Sequence, residues 1–369
     1  MVILSRPEEF DDWLNSLSNT ALKAFATRSA LQVLPYAFVL SDQESSSREQ
    51  AQFLLACFRA NIVSGLVGAG LYPEIGSVTS SALATLDAAN TENGYGTLTE
   101  PTLSNVATAV AATFYATRAT SAEAIHDLNA NAFTYGAEIT QALSADAIAL
   151  TATPDETAQV FATELWHGAV PEPYASLSQQ FSENAPETPW EFWAEWYEGM
   201  LKGEPLDWEL QRRIALIDES IWNSGVDAIA YEIEQIRTRW EVEKALSDIK
   251  DSLRVRTSAR HGIGGNNPPE RIEDERLSGA ITLIWEATEE LSTALEEERP
   301  ARERIEAILA KFKSGLAGFL KWCAGKGDLA VDTLIKWGIP ATGAGYAAKY
   351  PEKIEALIKA IEDWLPYLH

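Results

Sequence analysis

Two short motifs in this sequence place a glutamate three residues before a histidine. Glu123 precedes His126, and Glu164 precedes His167. On an α-helix this spacing puts the carboxylate and the imidazole on one face. Two such pairs, together with a glutamate from each of two further helices, build the di-iron sites of four-helix bundles. The first chemistry to weigh is therefore that of a metal-dependent helical enzyme, with these four residues as the candidate metal ligands.

The helix around the first motif argues against that metal site. Its apolar residues Ile125 and Leu128 define a buried face, and Glu123 points nearly opposite to it. Only 37 residues separate His126 from Glu164, which leaves little room for an intervening helix that also carries ligands. We therefore predict that these residues lie on the surface or cap helices, and that the protein holds no metal and no other cofactor.

Sequence motifs for other chemistries do not occur. The chain has no Gly-x-Ser-x-Gly elbow, no Walker A loop and no dinucleotide-binding fingerprint. Its two cysteines, Cys57 and Cys323, are far apart in sequence and fit neither a disulfide framework nor a zinc site. We assign no catalytic residue and no cofactor-binding residue from the sequence.

Acidic residues dominate the chain. Its 369 residues include 54 acids and 29 bases, which gives a formal net charge of -25. Between Arg59 and Lys202 the only base is Arg118, set against 17 acids. Such a surface repels phosphate backbones, so we expect no nucleic-acid partner. The N-terminus lacks the apolar run of a signal peptide, and cysteines are few, so we expect a cytoplasmic location.

Nearly every segment has helical periodicity, and strand patterns are scarce. In one long segment Ile229, Ile233, Ile236 and Trp240 follow each other at alternating steps of four and three. Further along, two apolar stripes joined by a short break predict a helical hairpin. The stripes comprise Leu277, Ile281, Trp285, Thr288, Leu291 and Leu295, then Ile305, Leu309, Phe312, Leu316, Phe319 and Cys323.

These patterns predict an all-α protein with two domains. A multi-helix N-terminal domain spans residues 1–260, and a smaller helical-hairpin domain spans residues 271–369. The segment between them, RHGIGGNNPPE at 260–270, follows a charged helix and lacks the features of a phosphate-binding loop. Tandem prolines stiffen it, so we predict a hinge at 261–270. Its candidate residues are Gly262, Gly264, Gly265, Pro268 and Pro269.

Two segments carry a resemblance to known proteins. HGIGGNNPPE at 261–270 resembles a GIGxNNPPE segment of uncharacterised, mostly helical bacterial proteins, many of them linked to prophages or mobile elements. PWEFWAEWYEGMLKGEPLDWELQRRIALI at 189–217 resembles an aromatic motif that often precedes it. The two segments cover a small part of the chain. The resemblance implies no activity, but it does imply a prophage or antiphage-defence context.

The aromatic segment admits two interpretations. Trp193, Trp196 and Tyr197 recur in it at helical spacing. A tryptophan stripe can stack a base or a sugar, but its large apolar area more often fills a core. We predict core packing.

A basic stretch near the C-terminus contrasts with the acidic remainder. Residues 311–349 carry six lysines and two acids, interleaved with apolar and tryptophan residues. Helices that lie on anionic membranes have this composition, and so do bundle helices whose basic edges contact an acidic part of the same chain. Both interpretations stay open. The candidate membrane or partner surface comprises Lys313, Phe319, Lys321, Trp322, Lys336 and Trp337.

The sequence thus favours a non-enzymatic assembly or interaction protein that binds a protein partner or itself. The first alternative is a membrane-acting effector, peripheral to the bilayer, that uses the basic C-terminal domain. The second alternative is a metal-dependent helical enzyme.

Overall fold

The computed structural model describes most of the chain. The described residues are 7–41, 47–72, 75–91, 102–118, 137–153, 156–258, 275–326 and 345–368. They form helices and the connections between helices, and no strand occurs among them. The all-α prediction is confirmed.

The chain divides into two compact units, Met1–Ile233 and Glu234–His369. We call them the N-terminal unit and the C-terminal unit. The N-terminal unit contains α1 (Pro7–Ser16), α2 (Asn19–Val33), a 3₁₀ helix (Leu34–Ser41), α3 (Arg48–Ala69), α4 (Gly76–Thr91), α5 (Thr102–Arg118), α6 (Ala137–Ala152), α7 (Ala158–Phe161), α8 (Tyr174–Asn184), α9 (Glu191–Lys202), α10 (Trp208–Ala215) and α11 (Glu219–Trp222).

One long helix, α12 (Val226–Ser258), begins in the N-terminal unit and ends in the C-terminal unit. Three further helices and a terminal 3₁₀ turn complete the C-terminal unit. They are α13 (Glu275–Leu295), α14 (Arg302–Lys326), α15 (Gly345–Trp364) and the turn Leu365–Tyr367.

The N-terminal unit is built around α2 and α3. Every residue of α2 from position 21 to position 33 is buried. The helices approach closely at Gly68, where an added Cβ would lie 2.8 Å from the Cα atom of Ala24. At its start, α3 is fixed by a capping box in which Ser47 and Gln50 satisfy each other's backbone N–H groups. This helix pair is the scaffold on which the polar sites of the unit are placed.

An aromatic cluster packs against α3. Phe58 stacks on Trp193 with ring centroids 4.8 Å apart. Trp193, Trp196 and Tyr197 are each no more than 1% exposed. The prediction that this tryptophan stripe forms core is confirmed. Each such aromatic pair contributes about 0.5–1.5 kcal/mol beyond the burial of its area.

In the C-terminal unit, α13 and α14 form the helical hairpin that the sequence predicts. Two glycines of α14 allow the helices to approach closely. A Cβ added to Gly315 would lie 2.7 Å from the Cγ1 atom of Ile284, and one added to Gly318 would lie 3.2 Å from the Cβ atom of Ala280. Close approach leaves little space for solvent between the two helices.

The C-terminal half of α12 packs in the C-terminal unit. Three of its apolar residues share a buried cluster with α13, α14 and α15, namely Val242, Leu246 and Ile249. Arg239 donates hydrogen bonds to backbone carbonyl oxygens at the end of α13 and just after it. The division of the chain into compact units therefore falls after Ile233, within α12, whereas the sequence prediction places the domain boundary at residue 260. The difference arises because α12 carries a second apolar face, formed by Val242, Leu246 and Ile249, and this face is buried in the C-terminal unit. The Gly/Pro residues 261–270, including every hinge candidate, lie outside the described residues.

Candidate functional site

The second Glu-x-x-His motif does not lie on a helix. Glu164 and His167 occupy the non-helical segment between α7 and α8, so the expectation that they share a helix face is wrong for this pair. The Glu164 side chain is exposed, and His167 Nε2 lies 3.3 Å from Oδ1 of Asp146 on α6. Glu123 and His126 lie outside the described residues. Within the part of the chain that is described, no group of three or more His, Cys, Asp or Glu side chains is placed to hold a metal ion.

Asp146 is also the partner of a buried arginine. Arg28 Nη2 lies 2.9 Å from Asp146 Oδ1, and both side chains are 1% exposed. The same guanidinium donates to three backbone carbonyl oxygens between residues 160 and 164. Arg28 thus holds the segment after α7 against α2 and α6, while Asp146 neutralises a charge that would be costly to bury alone. The group is structural, and it positions His167 beside Asp146.

A second buried arginine holds a carboxylate that reaches the surface. Arg59 Nη1 and Nη2 donate to the two carboxylate oxygens of Glu219, at 3.0 and 2.6 Å. Ser81 and Thr85, one turn apart on α4, donate hydroxyl hydrogen bonds to the same carboxylate. The Arg59 guanidinium lies 4.9 Å from the ring centroid of Trp222. We call Arg59, Ser81 and Thr85 the carboxylate cradle.

The carboxylate cradle lowers the pKa of Glu219 to about 2. Hydrogen bonds from Arg59 are the largest cause, those from Ser81 and Thr85 add to it, and partial burial opposes it. The Arg59 side chain is 2% exposed and that of Glu219 is 44% exposed. The cation therefore lies inside the unit and the anion lies at its surface, ionised at neutral pH.

A third buried cation, Lys23, caps the C-terminal end of α5. Its Nζ donates to the backbone carbonyl oxygens of Ala116 and Thr117 in the last turn of α5. A positive charge is favoured there because the carbonyl groups at a helix C-terminus carry partial negative charge. Burial nevertheless lowers the pKa of Lys23 to about 8. Lys23 therefore loses its proton at a much lower pH than an exposed lysine.

Neutral polar side chains join α3 to α5 inside the same unit. Asn61 Nδ2 donates to Thr113 Oγ1 at 3.0 Å, and Ser64 Oγ donates to Thr117 Oγ1 at 3.3 Å. A buried polar group without its hydrogen-bond partner lowers the stability of the fold, so such pairs favour a single register between the helices.

Two aromatic residues of the predicted C-terminal surface lie in the core. Phe319 and Trp322 are 2% and 5% exposed, in a cluster with Leu277 and Ala280 of α13. The structure thus corrects the surface position that the sequence gives them. The physical reason is the small side chain of Ala280 facing Gly318, which lets α13 come close enough to cover both rings.

The lysines of that predicted surface are exposed where the structure describes them. Lys313 and Lys321 both face solvent. Lys313 Nζ lies 2.5 Å from Glu362 Oε1, so an acid of the same unit neutralises part of the basic stretch. Two further candidates lie outside the described residues, namely Lys336 and Trp337.

An open groove of about 310 Å³ runs between α14 and α15. Its floor is apolar, and its rim carries two lysines and two glutamates. The floor comprises Leu316, Ala317, Leu320 and Ile358, and the rim comprises Lys313, Glu355, Lys359 and Glu362. Leu320 is 42% exposed. We call this feature the α14–α15 groove. Its apolar floor and charged rim share the arrangement of protein contact sites, which have an apolar centre and a polar rim.

A second recess, of about 360 Å³, lies in the N-terminal unit beside Trp190. Phe38 and Phe181 contribute aromatic surface to it. The hydroxyl groups of Ser41 and Thr188 are turned to backbone carbonyl oxygens, at 2.7 Å in both cases. Both hydroxyl groups are thus engaged by the backbone, and we assign no ligand to the recess.

Within the described ranges, α3 is the one helix that is long and apolar enough to cross a membrane. Most of its apolar segment is buried inside the N-terminal unit, and the core helices of soluble proteins pass the same test. The helix also carries the buried Arg59.

Sequence reasoning missed the carboxylate cradle and the pair between Arg28 and Asp146. A signal for both was present, because each arginine interrupts an otherwise apolar or small-residue stretch of a helix. An arginine buried on all sides requires an acceptor elsewhere in the fold. The sequence does not show which residue is the acceptor, because Glu219 lies 160 positions from Arg59 in the chain.

A functional proposal rests on the sites described above, because comparison with known proteins gives no match. No family model matches the chain, and neither does any curated protein or any solved structure.

Proposed function

We propose that this chain is a non-enzymatic assembly protein that pairs with a second copy of itself through the α14–α15 groove. The observation that carries the proposal is Leu320, a large apolar side chain that is exposed in the groove floor. Covering such a side chain is favourable by about 25 cal/mol for each Å² of apolar surface removed from water.

The charges around the groove favour a second copy as the occupant. The rim carries Lys313 and Lys359 together with Glu355 and Glu362, equal numbers of each sign. In a twofold-symmetric contact the same surface meets itself, so each charge has to find its complement on an identical patch. A rim of balanced charge meets that condition, whereas a rim of one sign would repel its copy.

The biological setting is part of the proposal. The resemblance of residues 189–217 and 261–270 to segments of mobile-element proteins supports a prophage or antiphage-defence role for the assembly. The membrane alternative has less support in the C-terminal unit, because Phe319 and Trp322 are covered by α13. Both rings would have to be uncovered before they could anchor at a bilayer interface.

The test is sedimentation velocity of the full chain and of two leucine variants. Leu320→Glu places a charge in the groove and should weaken self-association by about 30-fold, corresponding to a loss of about 2 kcal/mol at a central contact. Leu216→Glu is the matched control, since Leu216 is 43% exposed but lies at the end of α10 in the N-terminal unit. Equal effects of the two substitutions would exclude the α14–α15 groove as the contact.

A further inference from the structure

The carboxylate cradle combines rigid donors with an acceptor on a short element. Arg59 lies on α3, a helix of 22 residues, and Ser81 and Thr85 lie on α4, a helix of 16 residues. Glu219 is the first residue of α11, which has four residues. The donors therefore belong to the scaffold of the unit, and the acceptor belongs to a local connection.

The geometry of the donors is specific for a carboxylate group. The two terminal nitrogens of Arg59 each meet a different oxygen of Glu219, which is the bidentate arrangement that matches a planar carboxylate. Ser81 donates to one oxygen. The Thr85 hydroxyl lies 3.0 Å from the other oxygen and 3.0 Å from the backbone carbonyl oxygen of Ser81, so its single proton serves either acceptor. The ring of Trp222 lies beside the guanidinium and covers it.

The cradle also has an open side. Glu219 is 44% exposed although Arg59 is 2% exposed, so the carboxylate enters from solvent. The Nε atom of Arg59 is buried without a hydrogen-bond partner, which leaves the guanidinium with unused donor capacity. Gln52 donates to the backbone carbonyl oxygen of Trp222 at 2.8 Å and holds α11 in place. The backbone at the end of α11 is therefore held by a contact that does not involve the Glu219 side chain.

From these observations we propose that Arg59, Ser81 and Thr85 form a carboxylate-binding site, which Glu219 occupies as an internal ligand and which accepts an external carboxylate when Glu219 is absent or turned away. A small organic acid and the C-terminus of a polypeptide share this chemistry. While Glu219 occupies the site, no external carboxylate can bind. An external carboxylate takes the place of the Glu219 side chain without a change in α3 or α4.

The test removes the internal ligand and offers an external one. In full-length Glu219→Ala, acetate at about ten times its dissociation constant should raise the thermal midpoint by about 4 °C relative to chloride at equal ionic strength. The wild-type chain should show no such difference, because Glu219 fills the site. Circular dichroism measures the midpoint, and it also measures recovery of helix by acetate where the variant is unfolded in chloride.

A matched control separates this site from any arginine–glutamate pair. Glu209 also has a pKa near 2, set by Arg212 and Arg213. Those arginine side chains are 26% and 30% exposed and hydrated, so Glu209→Ala should gain nothing specific from acetate.

The source of the carboxylate is distinguished by acetylated triglycine with a free or an amidated C-terminus. A rise in the thermal midpoint of Glu219→Ala with acetate and with the free peptide, but not with the amide, indicates that the site accepts a polypeptide terminus. A gain with acetate alone indicates small organic acids. The proposal is overturned if Glu219→Ala responds to acetate no more than Glu209→Ala does, whether the readout is the midpoint or the recovery of helix.

Discussion

Replacement of Asp146 by alanine probes the buried ion pair of the N-terminal unit. The substitution removes the counter-ion of Arg28 and leaves the guanidinium in place, with both positions 1% exposed in the wild-type chain. Three backbone carbonyl oxygens still accept hydrogen bonds from Arg28, but none of them carries a full charge. The variant therefore has a buried cation that is hydrogen-bonded and not neutralised.

The expected cost follows from that geometry. Removal of one partner of a buried ion pair costs about 3–5 kcal/mol, because the remaining charge stays desolvated. For a unit of this size, 1 kcal/mol corresponds to about 2–4 °C in the thermal midpoint. We expect Asp146→Ala to lower the free energy of unfolding by about 4 kcal/mol and the midpoint by about 8–16 °C.

Urea denaturation monitored by circular dichroism measures the change, with two variants for comparison. Asp87→Ala on α4 removes an exposed aspartate and should change stability by less than about 0.5 kcal/mol. The double variant Arg28→Met/Asp146→Leu removes both charges and should be more stable than Asp146→Ala. A stabilising buried ion pair is excluded if Asp146→Ala lowers the free energy of unfolding no more than Asp87→Ala does, or if the double variant is less stable than Asp146→Ala.

Three further predictions concern pH and backbone conformation. Because the pKa of Glu219 in the folded chain is about 2, below its ordinary value of 4.5, its contribution is present above pH 4.5 and is lost as pH falls toward 2. Urea denaturation at pH 6 and pH 3 should show wild type losing about 1 kcal/mol more than Glu219→Gln, a value reduced for the exposure of the side chain. The pKa of Lys23 in the folded chain is about 8, below its ordinary value of 10.5, so the unfolded chain binds more protons between pH 8 and 10.5. The contribution of Lys23 to the free energy of unfolding should therefore rise over this range. Lys23→Met should lack that rise in the same assay. Gly203 has a φ of 71°, and an added Cβ would lie 2.4 Å from the carbonyl carbon of Thr163. Gly203→Ala should therefore lower the free energy of unfolding by about 2 kcal/mol or more. Gly279→Ala, where an added Cβ meets nothing within 4 Å, should be neutral or stabilising in a thermal melt.

Helices were predictable from the sequence because their signal is local. In α12 the predicted residues Ile229 and Ile233 are buried, but the residues buried in the C-terminal unit, Val242, Leu246 and Ile249, lie on the opposite face of the helix. The exact face was harder to predict. In α13 the stripe chosen from the sequence includes Ile281 and Trp285, whereas Ile284 lies in the core because it faces Gly315.

Burial of individual residues depended on the partner helix, which the sequence does not specify. Lysines next to Phe319 and Trp322 are typical of membrane-surface helices and also of bundle helices. The small side chain of Ala280 on the facing helix decided between surface and core for these rings. In the same way, the buried arginines Arg28 and Arg59 implied acceptors, but the fold determined which acids those acceptors were.

The proposed self-association of the chain through the α14–α15 groove is tested by the mass of the chain in solution. Light scattering of the purified full-length chain, measured over a range of concentrations, gives the mass without assumptions about shape. We expect a mass that approaches twice the 40.4 kDa of one chain as concentration rises, and the mass of a single chain for Leu320→Glu. A mass of 40.4 kDa at every concentration would contradict the proposed self-association.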